Sequence, residues 1–108
     1  MIRRLVPLKP ADVAARLRDG RAALVDIREP DEFQPRHIAG AVSRPLSAFD
    51  ADRLGLAPGR EVIFMCKTGM RTGANCDRLA AAVGHDAYVL EGGLDAWAAA
   101  GLPVAAGR

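Results

Sequence analysis

"EVIFMCKTGMRTGANCDRLAAAVG", residues 61–84, runs from an apolar stretch through a short polar loop into a helix-forming stretch. Glu61–Met65 is almost continuously apolar, as expected of a strand covered on both faces. The segment from Thr72 carries Cys76, Leu79, Ala80 and Val83 at helical spacing, with Gly84 placed to stop the helix. Working outward, "AALVDI" (22–27) and "AYVLEGG" (87–93) read as further buried strands, and "AVSRP" (41–45) as a short one. "PLKPADVAARLRDG" (7–20) reads as a helix: Pro10 suits its first position, Val13, Ala14 and Leu17 form one stripe, and Gly20 ends it. "LDAWAAAG" (94–101) reads as a last helix. "REPDEFQPRHIAGA" (28–41) reads as a loop with one helical turn around Asp31 to Phe33, and "LSAFDADRLGLAPG" (46–59) as helical at most in its middle. Strands alternating with helices predict an α/β fold, a parallel sheet with helices on both faces. Ligands of such sheets bind at the carboxyl ends of the strands, where Cys66 stands.

Composition sets the outer bounds. The 108 residues suit one domain with one core. With 50% hydrophobic and 26% charged residues the chain is globular in character, not disordered. A formal charge of +2, with no basic run beyond Arg3 and Arg4, argues against nucleic acid or a membrane surface as partner. No segment has the length of a membrane-spanning helix or the apolar core of a signal peptide. The two cysteines match neither a disulfide framework nor a zinc pattern, so a reduced, cytoplasmic setting is expected, with no metal.

The loop after Met65 carries the chemistry. A tight turn between strand and helix aims successive backbone N–H groups inward, and the helix N-terminus reinforces this anion nest. Gly69 supplies a conformation that other residues resist. Arg71 adds a fork of donors suited to oxyanions, and Lys67 a second cation beside the thiol. A free thiol has a pKa of about 8.5, which helix N-termini and nearby cations lower to roughly 3.5–7.5. Cys66 is therefore read as an exposed, ionised nucleophile for an anionic substrate or intermediate.

These residues also carry a resemblance. "CKTGMRT" (66–72) resembles the active-site loop of rhodanese-type sulfurtransferases. "LVDIREPDEFQPRHIAGAV" (24–42) is similar to that family's first signature, through Asp26, Arg28, Glu29, Phe33, His37, Ile38, Gly40 and Ala41. "VLEGGLDAWAAAGLPV" (89–104) is similar to its C-terminal signature, through Gly92, Gly93, Trp97, Gly101 and Pro103. The likeness runs from about Leu8 to Val104, within a single domain spanning residues 1–108. It is nearest to the rhodanese domain of bacterial membrane-tethered sulfurtransferases. The chain would then be either a free cytoplasmic protein or the cytosolic domain of a tethered parent. The resemblance implies a three-layer fold around a mostly parallel five-stranded sheet. It implies that Cys66 takes a sulfane sulfur from thiosulfate or a persulfide donor and passes it to a thiol or cyanide. Lys67, Thr68, Gly69, Met70 and Arg71 would bind the substrate, supported by Asp26, Arg28 and Thr72. No cofactor is implied; a sulfur-relay protein is a possible partner.

Two other classes use similar parts. A persulfide carrier would use Cys66 without turning over free thiosulfate. A phosphatase or arsenate reductase has one residue more between its Cys and Arg than the four found here, so this shorter loop should close too tightly around phosphate. Asp26 is expected either to brace the loop, through its N–H groups or Arg71, or to serve as a structural carboxylate. Arg28 and Glu29 are expected to fix loops, His37 to be structural and Trp97 to lie in the core. Cys76 is expected to be buried with Leu79 and Val83. It lies about 7.5 Å along a helix from Arg71, beyond the roughly 7 Å that a disulfide spans.

Overall fold

The computed structural model describes residues 5–50, 54–56, 59–83 and 87–107. Gly84 and the Arg3–Arg4 pair, singled out above, lie outside these residues, as does the middle of the 46–59 stretch. The elements in order are β1 (Leu5–Leu8), α1 (Pro10–Arg18), β2 (Ala22–Asp26), α2 (Pro30–Phe33), β3 (Val42–Ser43), a 3-10 turn (Leu46–Ala48), β4 (Glu61–Met65), α3 (Met70–Ala74), α4 (Cys76–Val83), β5 (Ala87–Leu90) and α5 (Gly93–Ala99). The five strands lie in the order β1-β5-β4-β2-β3. Every pairing is parallel, so the sheet is wholly rather than mostly so.

Alternation along the central strands divides the core into two layers. Ile63 and Met65 of β4, with Ala22 and Leu24 of β2, face Val13 of α1 and Leu94 and Trp97 of α5. Val62 and Phe64, with Val25, face the opposite way, against Leu79, Ala82 and Val83 of α4. Each fully buried Leu, Ile or Phe of these layers contributes about 1.5–3 kcal/mol through removal from water. Cys66 continues the alternation of β4 and falls on the α4 side.

Two expectations are corrected. Residues 7 and 8 belong to β1, not to the first helix, which begins at Pro10. Pro7 hides this strand from a propensity reading, and the sheet tolerates it because β1 lies at the edge. The helix expected from Thr72 begins at Met70 and is interrupted. Gly69, at φ 96°, turns the chain sharply enough to start it early. Asn75 then ends α3, its backbone N–H and side-chain Nδ2 both reaching the Arg71 carbonyl, at 3.1 and 2.8 Å. Its own carbonyl accepts from Leu79, so α4 starts again at once. Among the described residues no helix is long and apolar enough to cross a membrane.

The chain leaves β2 toward one edge of the sheet and β4 toward the other. The carboxyl ends of β2 and β4 therefore flank the place where the winding reverses, which is where open α/β sheets form crevices. Asp26 pairs with Met65 in register there, and Cys66 follows directly.

Candidate active site

The loop from Cys66 to Gly69 is held from three sides. Beneath it, the N-terminus of α5 grips the first peptides: Leu94 N–H donates to the Cys66 carbonyl at 2.9 Å and Asp95 N–H to the Lys67 carbonyl at 3.0 Å. Gly93 permits this approach, because a Cβ there would lie 2.5 Å from both carbonyl oxygens. On the α3 side, the Thr72 hydroxyl donates to the Gly69 carbonyl at 2.9 Å. On the third side Arg71 reaches across to Glu32 of α2.

Within the loop, Gly69 N–H donates to Cys66 Sγ at 3.1 Å, and the Thr72 hydroxyl lies 3.9 Å from the same sulfur. Burial is the largest single influence on the Cys66 thiol and pushes its pKa up. Hydrogen bonding from the Thr72 and Gly69 backbone, the Thr72 hydroxyl and the Arg71 backbone together outweighs it, so the thiol lies below its ordinary value. The expected nest thus forms, with a different set of donors. Met70 N–H turns instead to Thr68 Oγ1 at 3.4 Å, and the Met70 side chain stands 79% exposed.

The expected exposure of the two thiols is reversed. Cys66 is only 1% exposed, because its sulfur points into the nest. Cys76 is half-buried and does not pack in the layer of Leu79 and Val83. It stands on the wall of a groove of about 410 Å³ beside the loop, with Thr68, Gly69, Leu5 and Val89. The break at Asn75 restarts the helix, so its face cannot be projected from Thr72 as one continuous stripe.

The cations are committed as well. Arg71 makes a two-pronged pair with Glu32, Nη1 to Oε1 at 2.7 Å and Nη2 to Oε2 at 3.0 Å. The Arg71 hydrogen bonds hold the Glu32 carboxyl down at about 2, and the same pairing raises the Arg71 pKa, with a smaller contribution from Cys66. Lys67 Nζ lies 3.0 Å from Asp95 Oδ2 in an exposed pair. Neither cation is the free oxyanion fork or point charge expected from the sequence.

Asp26 braces neither the loop nor Arg71 directly. It is fully buried and paired with Arg28, whose Nη2 lies 2.8 Å from Oδ2 and whose backbone N–H donates to Oδ1 at 3.0 Å. Removing either partner would strand a buried charge, which typically costs about 3–5 kcal/mol. Arg28 then donates to the carbonyls of Glu32 at 3.2 Å and Arg36 at 2.8 Å, so it fixes the α2 loop as expected. Glu29 ties that loop to Ser47, accepting from its hydroxyl and backbone N–H. His37 is structural: its Nδ1 lies 2.8 Å from the Phe33 carbonyl and its ring stacks on Phe33 at 4.3 Å. Trp97 is in the core and donates to the Pro103 carbonyl at 2.8 Å. Glu32 is the site residue the sequence did not reveal. Its only signal was an acid on the turn at Asp31 to Phe33, and the fold alone brings it to Arg71.

Comparison with known proteins agrees with this architecture. Residues 9–100 match the Rhodanese-like domain family. The chain belongs to that family, which is of the sulfurtransferase type. It is 32% identical over 83 residues to a sulfurtransferase of Allochromatium vinosum, covering 77% of this chain and 78% of that protein. An uncharacterized protein of Synechocystis is 42% identical over 80 residues, 74% of this chain but only 45% of that protein. The chain thus spans less than half the length of that relative. The crystal structure of a thiosulfate sulfurtransferase from Pseudomonas aeruginosa superposes with a TM-score of 0.79 at 27% identity, over 96% of this chain and 21% of that one.

Proposed function

We propose that this domain carries sulfane sulfur on Cys66, taking it from thiosulfate or a persulfide and delivering it to a thiol, or to cyanide in an assay. The observation that carries this reading is the short contact from Gly69 N–H to Cys66 Sγ, 3.1 Å, inside a nest that lowers the thiol pKa. The thiolate sulfur attacks the outer sulfur of the donor. One S–S bond forms as the donor's own bond breaks, and the bond pair leaves with sulfite or with the donor thiolate. The acceptor then attacks the outer sulfur of the Cys66 persulfide and restores the thiolate. This is covalent catalysis in two half-reactions. An ionised sulfur needs no separate general base. The nest amides of Gly69, Arg71 and Thr72 hold the negative charge, whether it rests on thiolate or persulfide.

A reducing compartment such as the cytoplasm would keep both cysteines as thiols and supply thiol acceptors. A relay protein could stand in for the small-molecule donor or acceptor. The test is a two-stage assay, charging with donor and then discharging into cyanide, with Cys66→Ser alongside. Thiocyanate from the unmodified chain and none from Cys66→Ser is the expected result. Equal yields from both would contradict the assignment.

A further inference from the structure

The clamp on Arg71 is built from the sheet outward. Buried Asp26 holds Arg28, and Arg28 Nη1 holds the Glu32 carbonyl at 3.2 Å. Glu29 N–H donates to Glu32 Oε1 at 3.1 Å, so this carboxylate has an anchor besides Arg71. From this fixed position it engages both terminal nitrogens of Arg71. Each partner of the pair is only about a third exposed, 36% and 32%, so solvent does not fully screen it. Asp95 also pairs with Lys67, through its single Nζ and in a more exposed contact. The two cations of the loop, Arg71 and Lys67, are thus each matched by a carboxylate. The amides that remain positive already face Cys66 Sγ.

We propose that Glu32 is a specificity-determining positioning residue: by filling the fork of Arg71 it makes the site favour sulfane donors of low charge over dianionic thiosulfate. This rests on Cys66 being the sulfur-carrying nucleophile. A donor approaching a thiolate brings like charge toward like charge, and each further unit of negative charge requires a cation to meet it. With the fork of Arg71 filled, thiosulfate meets at the loop only the exposed, solvent-screened charge of Lys67, whereas a monoanionic persulfide or thiosulfonate asks less of it. Methanethiosulfonate isolates the effect, because it presents the same outer sulfur with one charge fewer. In that reaction the Cys66 thiolate bonds the outer sulfur, the S–S bond to the sulfonyl sulfur breaks, and the pair leaves on methanesulfinate. The persulfide formed is identical to that from thiosulfate.

The test compares thiosulfate and methanethiosulfonate as donors to cyanide for the unmodified chain and Glu32→Gln, with folding checked by circular dichroism. Glutamine retains an acceptor for Glu29 N–H but releases the Arg71 charge. Because a hydrogen bond to a charged group is strong, the ratio of kcat/KM for thiosulfate to that for methanethiosulfonate should rise about tenfold, mainly through a lower thiosulfate KM. Equal change with both donors, or a fall in the ratio, would overturn the proposal while leaving Cys66 as nucleophile. If Glu32→Gln does not fold, Glu32→Asp decides, because its shorter side chain cannot hold both terminal nitrogens of Arg71 from the same backbone position: a raised ratio supports the filled fork as the selector, and an unchanged ratio overturns it. No thiocyanate from either donor with the unmodified chain would overturn the Cys66 reading, and this proposal with it.

Discussion

Gly93 lies against the backbone of Cys66 so closely that a Cβ on it would fall 2.5 Å from the Cys66 carbonyl oxygen. The same Cβ would meet the Lys67 carbonyl oxygen at 2.5 Å, and the residue holds φ at +62°. Both neighbours are backbone and neither can swing aside. Gly93→Ala should therefore cost at least about 2 kcal/mol of stability and move the loop off α5. Thermal unfolding would show the first effect, and a rise of the Cys66 pKa toward its ordinary value would show the second. A variant with unaltered melting and thiol titration would mean that the contact is looser than described.

The two thiols should separate by reagent size and by pH. A bulky maleimide should label half-buried Cys76 first, since Cys66 is 1% exposed. Iodoacetamide, which is small, should reach Cys66 with a rate whose pH midpoint lies below the roughly 8.5 of an ordinary thiol. Thr72→Val removes one of the groups holding the thiolate and should move that midpoint upward. A Cys66 midpoint at or above that ordinary value would show that burial outweighs the amides.

Acid should release the Arg71–Glu32 clamp. The Glu32 carboxyl is held at about 2 against an ordinary 4.5, chiefly by its hydrogen bonds from Arg71. A carboxyl depressed in the folded state stabilises fully above its unfolded value and loses that contribution as pH falls through the folded one. The stability difference between the unmodified chain and Glu32→Gln should therefore shrink between about pH 5 and pH 2. Denaturant titrations across that range measure it. A difference independent of pH would show that the pair adds nothing to stability.

How far the sequence reached follows from the range of each interaction. The strands from Ala22, Glu61 and Ala87 were legible because apolar runs bury both faces, and Pro10 and Gly20 punctuate α1 locally. β1 was not legible, since Pro7 is tolerated only by virtue of an edge position that the fold assigns. The loop's role as a nest was legible from Gly69 and the strand–helix junction. Its partners were not: Glu32 and Arg71 are 39 residues apart, Lys67 and Asp95 28 apart, and no local pattern joins them. The exposure of Cys66 and Cys76 was misjudged for a related reason. It depends on the direction of one sulfur and on a helix break at Asn75, and neither is a matter of periodicity.

The central claim is that sulfur resides on Cys66. Mass spectrometry of the intact chain after incubation with thiosulfate or methanethiosulfonate, followed by peptide mapping, tests it most directly. The account predicts one added sulfur atom, located on Cys66, retained in Cys76→Ala and lost on adding cyanide. Sulfur located on Cys76, or no added sulfur with any sulfane donor, would contradict it.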